Sequence, residues 1–183
     1  MMENNVQTII ETLAAGQQEC QTLLDHMSER TFHVDEMAIM ISDDHTLLDF
    51  ISFAVHLPEV TLFNCCQDTV FTQPIASDYQ VRYWFFTTPL NFRVEVMQLG
   101  SGSPLHDSLM LHSDSPVIPV HASFKCVDEQ EYVSAQSTLR GHGWEVWQKC
   151  DSSYGRFSYW GHPDQGSGWL VKPRLNLRDR SAS

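Results

Sequence analysis

Twice in this chain a polar residue sits inside a strand-like run, and a helix-capping aspartate follows it at the same distance. In "HVDEMAIMISD" Glu36 precedes Asp43 by seven residues, and in "PVHASFKCVD" His121 precedes Asp128 by seven. Equal spacing puts the two polar residues at equivalent places relative to the helices that begin behind them. An internal repeat constrains a fold strongly, because both copies must satisfy one architecture.

The other elements recur in the same order. The first copy reads as a strand at "FHVDEMAIMI" and a helix within "SDDHTLLDFISFAV". That helix is capped by Ser42 or Asp43, is stopped by Pro58, and has Leu47, Leu48, Ile51 and Phe53 on its apolar face. Strands follow at "VTLFNCC", "QVRYWFFTT" and "FRVEVMQL". A Gly-, Ser-, Pro- and Asp-rich linker, "GSGSPLHDSLMLHSDSPVIP", separates the copies. The second copy has a strand at "VHASFKCV" and a helix capped by Asp128 and closed by Gly141 or Gly143. Its last strands are "WEVWQKC", "GRFSYWGH" and "GWLVKPRL". "RYWFF" from Arg82 matches "RFSYW" from Arg156, and laying "FRVEV" over "WLVKP" sets Glu95 against Lys172.

The expected fold is therefore α+β, with two tandem βαβββ modules at 31–99 and 117–177 pairing their sheets around a shared cleft. A linker at 100–116 joins them, and 178–183 is a tail. Residues 1–30 form an appendage, helical from 4 to 28. Val6, Ile9, Ile10, Leu13, Cys20, Leu23, Leu24 and Met27 give it one apolar face, and Gly16 marks a break into two shorter helices. That face has to be buried on the sheet or on a second subunit, which favours a homodimer.

Charge narrows the partners. With 23 acidic against 11 basic residues the net charge is −12, and the basic residues cluster only in "KPRLNLRDR". Nucleic acid and anionic membrane surfaces are thereby disfavoured. The opening "MMENNVQTII" lacks the basic head and apolar run of a signal peptide, and no apolar run is long enough to span a bilayer. The five cysteines, Cys20, Cys65, Cys66, Cys126 and Cys150, are odd in number and form no C-x-x-C. They read as reduced packing residues of a cytoplasmic protein.

"GRFSYWGHPDQGSGWLVKP", "VHASFKCVD" and "HVDEMAIMISD" together resemble the vicinal oxygen chelate superfamily, which includes glyoxalase I, methylmalonyl-CoA epimerase and bleomycin-resistance proteins. The resemblance covers roughly 31–177. It implies a divalent metal (Zn, Ni, Mn or Fe) held by one residue from the first and one from the last strand of each module. Here these corners are Glu36, Glu95, His121 and Lys172. Glu95 and His121 match the family's ligand types, Glu36 replaces a histidine, and Lys172 replaces a carboxylate and cannot ligate while protonated. Two arrangements follow. Lys172 is itself the cation between the acids; or the final strand shifts register and takes Lys172 out of the cleft, and Glu36, Glu95 and His121 then suffice to hold a metal.

The resemblance implies a small-molecule ligand, with isomerase or lyase chemistry in which Glu95 or Glu36 moves a proton beside a polarised oxygen. The alternative is a metal-free binding module of the same fold. Lys172, Arg156 and Tyr159 are the candidate substrate-binding residues. Glu95 stands out because Val94, Val96 and Met97 surround it on a strand, where acids are disfavoured. Side chains alternate, so one of Asp35 and Glu36 is expected to face solvent, and His33 reaches the Glu36 face only through a bulge. His45, His56, His106, His112, His142 and His162 read as solvated residues of loops and helix ends.

Overall fold

The structure, a computed structural model, describes residues 2–27, 32–54, 62–72, 76–87, 92–101, 104–111, 113–151, 155–164 and 168–176. Along the chain these are α1 (Met2–Met27), β1 (Val34–Ile41), α2 (Asp44–Ala54), β2 (Leu62–Thr72), β3 (Ala76–Thr87) and β4 (Arg93–Ser101). Then come α3 (Pro104–Leu111), β5 (Val117–Cys126), α4 (Glu129–Gly141), β6 (Glu145–Asp151), β7 (Gly155–Gly161) and β8 (Leu170–Asn176). Each half is the βαβββ unit expected from the repeat. Pro58 lies outside the described residues.

The two helices inside the repeat start alike. The Asp43 carboxylate accepts from the Thr46 backbone N–H at 2.8 Å. The Asp128 carboxylate accepts from the Glu131 backbone N–H, also at 2.8 Å. Each thereby satisfies one of the amides a first helical turn leaves open. Gly143, at φ 82°, takes the chain away from the end of α4, a conformation other residues rarely adopt. The apolar face of α2 differs from the expected one: Leu47 and Phe50 are buried, whereas Leu48 is exposed.

The strands run in the order β1-β4-β3-β2-β6-β7-β8-β5 and close into a barrel. Within each half the first strand pairs in parallel with the fourth, β1 with β4 and β5 with β8. The halves join through antiparallel β1 and β5 at one seam and through β2 and β6 at the other, where Phe71 faces Cys150. An eight-stranded barrel has an interior just wide enough for side chains. The outer core lies between the barrel and α1, α2 and α4, and includes Val34, Met37, Ile39, Val94, Val96, Phe124, Trp160 and Val171. Alternate residues, among them Ala38, Met40, Met97, Val120, Cys150, Tyr159 and Leu170, form a second, inner cluster.

The opening helix is continuous, and Gly16 does not break it. Val6, Ile9, Leu13, Cys20 and Leu24 are buried against β1, β5 and α2, each removing apolar surface worth about 1.5–3 kcal/mol. A Cβ on Gly16 would lie 2.4 Å from the Trp169 ring, so the missing side chain makes room for that indole. Gly16 is a docking notch rather than a hinge. Because the chain's own sheet covers the apolar face of α1, the reason given for a homodimer through this helix falls away. No described helix is long and apolar enough to cross a membrane.

The linker contains a helix of its own. In α3, Leu105, Leu109 and Met110 follow helical spacing and pack against the inner cluster. α3 thus lies against β5 with its apolar side on the inner cluster.

Candidate functional site

Four strands aim the site residues inward. Glu36 on β1, Glu95 on β4, His121 on β5 and Lys172 on β8 have relative exposures of 1%, 2%, 0% and 7%, so all four are buried polar groups. Such groups persist in an interior only when they satisfy one another. Lys172 Nζ lies 3.3 Å from Glu36 Oε1, 3.3 Å from Glu95 Oε2 and 3.0 Å from His121 Nε2. An ammonium has three N–H donors, and here three polar atoms lie within their reach. His121 Nε2 also lies 3.5 Å from Glu36 Oε1 and 3.4 Å from Glu95 Oε2, so one ring nitrogen meets both acids and the ammonium. Nδ1 has no hydrogen-bond partner among the described residues.

Two bulges produce this convergence. Register shifts between Val34 and Glu36, so Asp35 is an extra residue; Val34 can then join the outer core while Glu36 turns inward. Register shifts again opposite Ala38 and Ile39, which face His121 and Pro119 and leave Val120 as the extra residue on β5. His121 then shares the inner face with Val120, and Ala122 returns to the outer core. Ala38 pairs with Glu95 on one side and His121 on the other, and its small side chain leaves the space that these two enter.

A second shell of charge holds the acids. Arg93 donates to Glu36 Oε2 through Nε at 2.9 Å and also through Nη2. Its guanidinium lies 4.4 Å over the Phe85 ring. Asp35 does not simply face solvent: Arg174 Nη1 and Nη2 grip its two carboxylate oxygens at 2.7 and 2.8 Å. Among the described residues this group has three acids (Asp35, Glu36, Glu95) and three fixed cations (Arg93, Lys172, Arg174), and is neutral as it stands. Burial by itself would raise the Glu36 carboxyl. Lys172, then Arg174, a hydrogen bond with His121 and Arg93 outweigh it and hold Glu36 well below the usual carboxylate range.

Glu36, Glu95 and His121 form a buried group able to hold a divalent ion, each offering a ligand atom within 4.8 Å of the others. In kind and spacing the three fit a metal. Lys172 Nζ, however, occupies the space between them, and an ammonium and a dication cannot share it. A dication would also add two positive charges to a neutral group. With Lys172 in place, these residues do not fit a metal.

Tyr159 lies beside this cluster, its ring centroid 5.2 Å from that of His121 and 5.7 Å from Lys172 Nζ. Phe157 approaches Lys172 more closely, at 5.0 Å. Arg156, of opposite parity to Phe157 and Tyr159 on β7, faces the other way. Its Nη1 bonds Glu129 at the start of α4 at 2.8 Å, on the helix-covered side of the sheet, so strand alternation separates it from the cluster. His33 is exposed and is not part of the site. The basic cluster of "KPRLNLRDR" is partly internal, since Lys172 and Arg174 point into the barrel.

His106 departs most from the sequence reading. Expected as a solvated linker residue, it is fully buried on α3, edge-on to Tyr159 at 5.7 Å between centroids. Burial, with His121 and Lys172 nearby, pushes its pKa down to about 3, so it is neutral at ordinary pH. The signal was in "PLHDSLML", where His106 is three and four residues from Leu109 and Met110 and so shares their face. Arg93 and Arg174 had a signal too, since each stands two residues from a corner, on the same strand face.

No protein-family model matches the sequence, and no curated protein matches it. Among solved structures the chain is similar to methylmalonyl-CoA epimerase from Mycobacterium tuberculosis, with a TM-score of 0.54, 12% identity, and 85% of this chain and 96% of that one covered. It is also similar to hypothetical protein BH1468 from Bacillus halodurans C-125, with a TM-score of 0.52, 12% identity, and 80% and 96% of the two chains covered. At such identities the likeness establishes the fold alone, a tandem βαβββ arrangement.

Proposed function

We propose that this chain binds a small molecule in the polar interior between its two modules, 31–99 and 117–177, and that Lys172 takes the place of the metal such folds use. One observation carries the reading: Lys172 Nζ lies 3.0–3.3 Å from each of the three would-be ligands, Glu36, Glu95 and His121. Lys172 and Tyr159 are the residues next to such a ligand, and Arg156 is withdrawn from that role. Glu36 is held ionised by the cations around it, which also weakens it as a base, so Glu95 beside Lys172 is the carboxylate to take a proton from a ligand that enters between them. The free, buried thiols of Cys20 and Cys126, both pushed up to about 12, support a cytoplasmic location.

A second reading keeps a metal-assisted isomerase or lyase and rests on the ligand spacing of Glu36, Glu95 and His121. In it Lys172 swings aside and the metal polarises a ligand oxygen. Metal analysis of the purified protein, with melting curves in EDTA and in Zn²⁺, Ni²⁺, Mn²⁺ or Fe²⁺, separates the two. The Lys172 reading expects no stoichiometric metal and an unchanged Tm. A bound equivalent of metal, or a Tm that rises with one of these ions, overturns it in favour of the second.

A further inference from the structure

The inner face of β6 carries a polar group that the site described above does not use. Gln148 is buried, at 3% exposure, and its Oε1 has no hydrogen-bond partner among the described residues. A buried amide oxygen without a donor is costly, and most proteins avoid one. Chance packing is a poor account of this one, because the backbone is distorted to aim it. Between β6 and β7, Val146 pairs with Trp160 and Gln148 with Tyr159, which leaves Trp147 as the extra residue of a bulge. Without the bulge Gln148 would share the face of Val146, which packs against the outer core. With it, Gln148 has the parity of Cys150 and lies across the strand from Tyr159, and both of those belong to the inner cluster. The bulge is also anchored. Trp147 lies on the bare Cα of Gly161, where a Cβ would be 2.4 Å from the indole.

We infer that Gln148 is a ligand-recognition residue, its Oε1 accepting a hydrogen bond from a hydroxyl or amide N–H of a small neutral molecule with an aromatic or apolar body. This deepens the proposed function and rests on its premise that the barrel interior is the ligand site. Neutrality follows from the charge balance: three acids already face three cations, and an added buried charge would have no counter-ion. The apolar body follows from the walls, since Phe157 and Tyr159 flank Lys172 and Tyr159 is the cross-strand neighbour of Gln148.

The test uses the full chain and four matched probes in ligand-observed NMR titrations: benzyl alcohol and benzamide, which donate; anisole, which does not; and benzoate, which is charged. Benzyl alcohol or benzamide should bind about tenfold or more tighter than anisole and benzoate, one hydrogen bond's worth of discrimination. Gln148→Leu should abolish that preference and also raise Tm by roughly 3 °C or more, since it removes an unsatisfied buried group. Gln148→Met serves as a second variant should the branched side chain pack poorly. A lower Tm in both variants would make Gln148 structural and overturn the inference. Probes that bind parent and variants alike would overturn it too, leaving the small-molecule site standing. Failure of all four probes to bind the parent would overturn the small-molecule reading of the interior, and this inference with it.

Discussion

The two modules share a backbone plan and divide the chemistry between them. The first supplies the acids Asp35, Glu36 and Glu95; the second supplies His121, Lys172 and Arg174. Of the ion pairs that join this group, Lys172 to Glu36, Lys172 to Glu95 and Arg174 to Asp35 all cross between modules, and Arg93 to Glu36 stays within the first. Equivalent corners, Glu95 and Lys172, carry opposite charge. Of the first module's acids in this group only Glu36 has a cation from its own module among the described residues, so Glu95 and Asp35 depend on Lys172 and Arg174 of the second. The helices, by contrast, share one aspartate cap contact, because a cap satisfies amides of its own helix and answers to nothing across the seam.

The largest effect expected from breaking this division is at Lys172. Lys172→Ala leaves Glu36 and Glu95 buried together without their shared cation and should cost about 3–5 kcal/mol, read from urea unfolding. Lys172→Glu should melt lower than the parent in EDTA and regain stability with Zn²⁺, Ni²⁺ or Mn²⁺. An alanine variant as stable as the parent would mean that the cross-module charges do not hold the halves together.

Acid should weaken the protein next. His106 is neutral in the fold down to about pH 3, whereas an unfolded histidine takes a proton near 6.5. Its contribution is fully present above 6.5 and is lost progressively as pH falls towards 3, by about 2 kcal/mol at pH 5. Glu36, held low, acts in the same direction further down: its stabilisation is present above the ordinary carboxylate pKa and lost as pH falls through its lowered value. Urea midpoints between pH 7.5 and 5 should therefore fall, and His106→Phe should flatten that part of the curve. A parent whose midpoint does not change over this range would contradict the burial of His106.

Smaller effects test the elements outside the charge division. Gly16→Ala gains helix propensity yet meets the Trp169 ring at 2.4 Å, so a net loss of about 1–3 kcal/mol is expected. In a Trp169→Leu background the same change should be neutral or stabilising, as a double-mutant cycle would reveal. Smallest are the caps. Asp43→Ala and Asp128→Ala should each cost about 1 kcal/mol, and nearly the same amount, if the shared geometry carries shared energy. Unequal losses, measured by thermal melting at one pH, would show that the modules no longer treat their caps alike.

Local pattern alone determined a good deal. The recurring pattern gave the βαβββ order and the Asp128 cap, and narrowed the first cap to Ser42 or Asp43, because a cap is a contact between residues three apart. Helical periodicity gave the buried face of α1, and isolated polarity within an apolar run picked out Glu95. The resemblance placed four corners that do meet. What the sequence could not decide depends on contacts between distant segments. Whether Gly16 breaks a helix or receives an indole depends on Trp169, some 150 residues later in the chain. Which face a strand residue takes changes at each bulge, and the bulges at Asp35, Val120 and Trp147 are visible only in the register of neighbouring strands. The barrel's closure is another such pairing, and so is the placing of the Lys172 ammonium between the acids. A cation's position among carboxylates is set by where four strands converge, and no single strand carries that information.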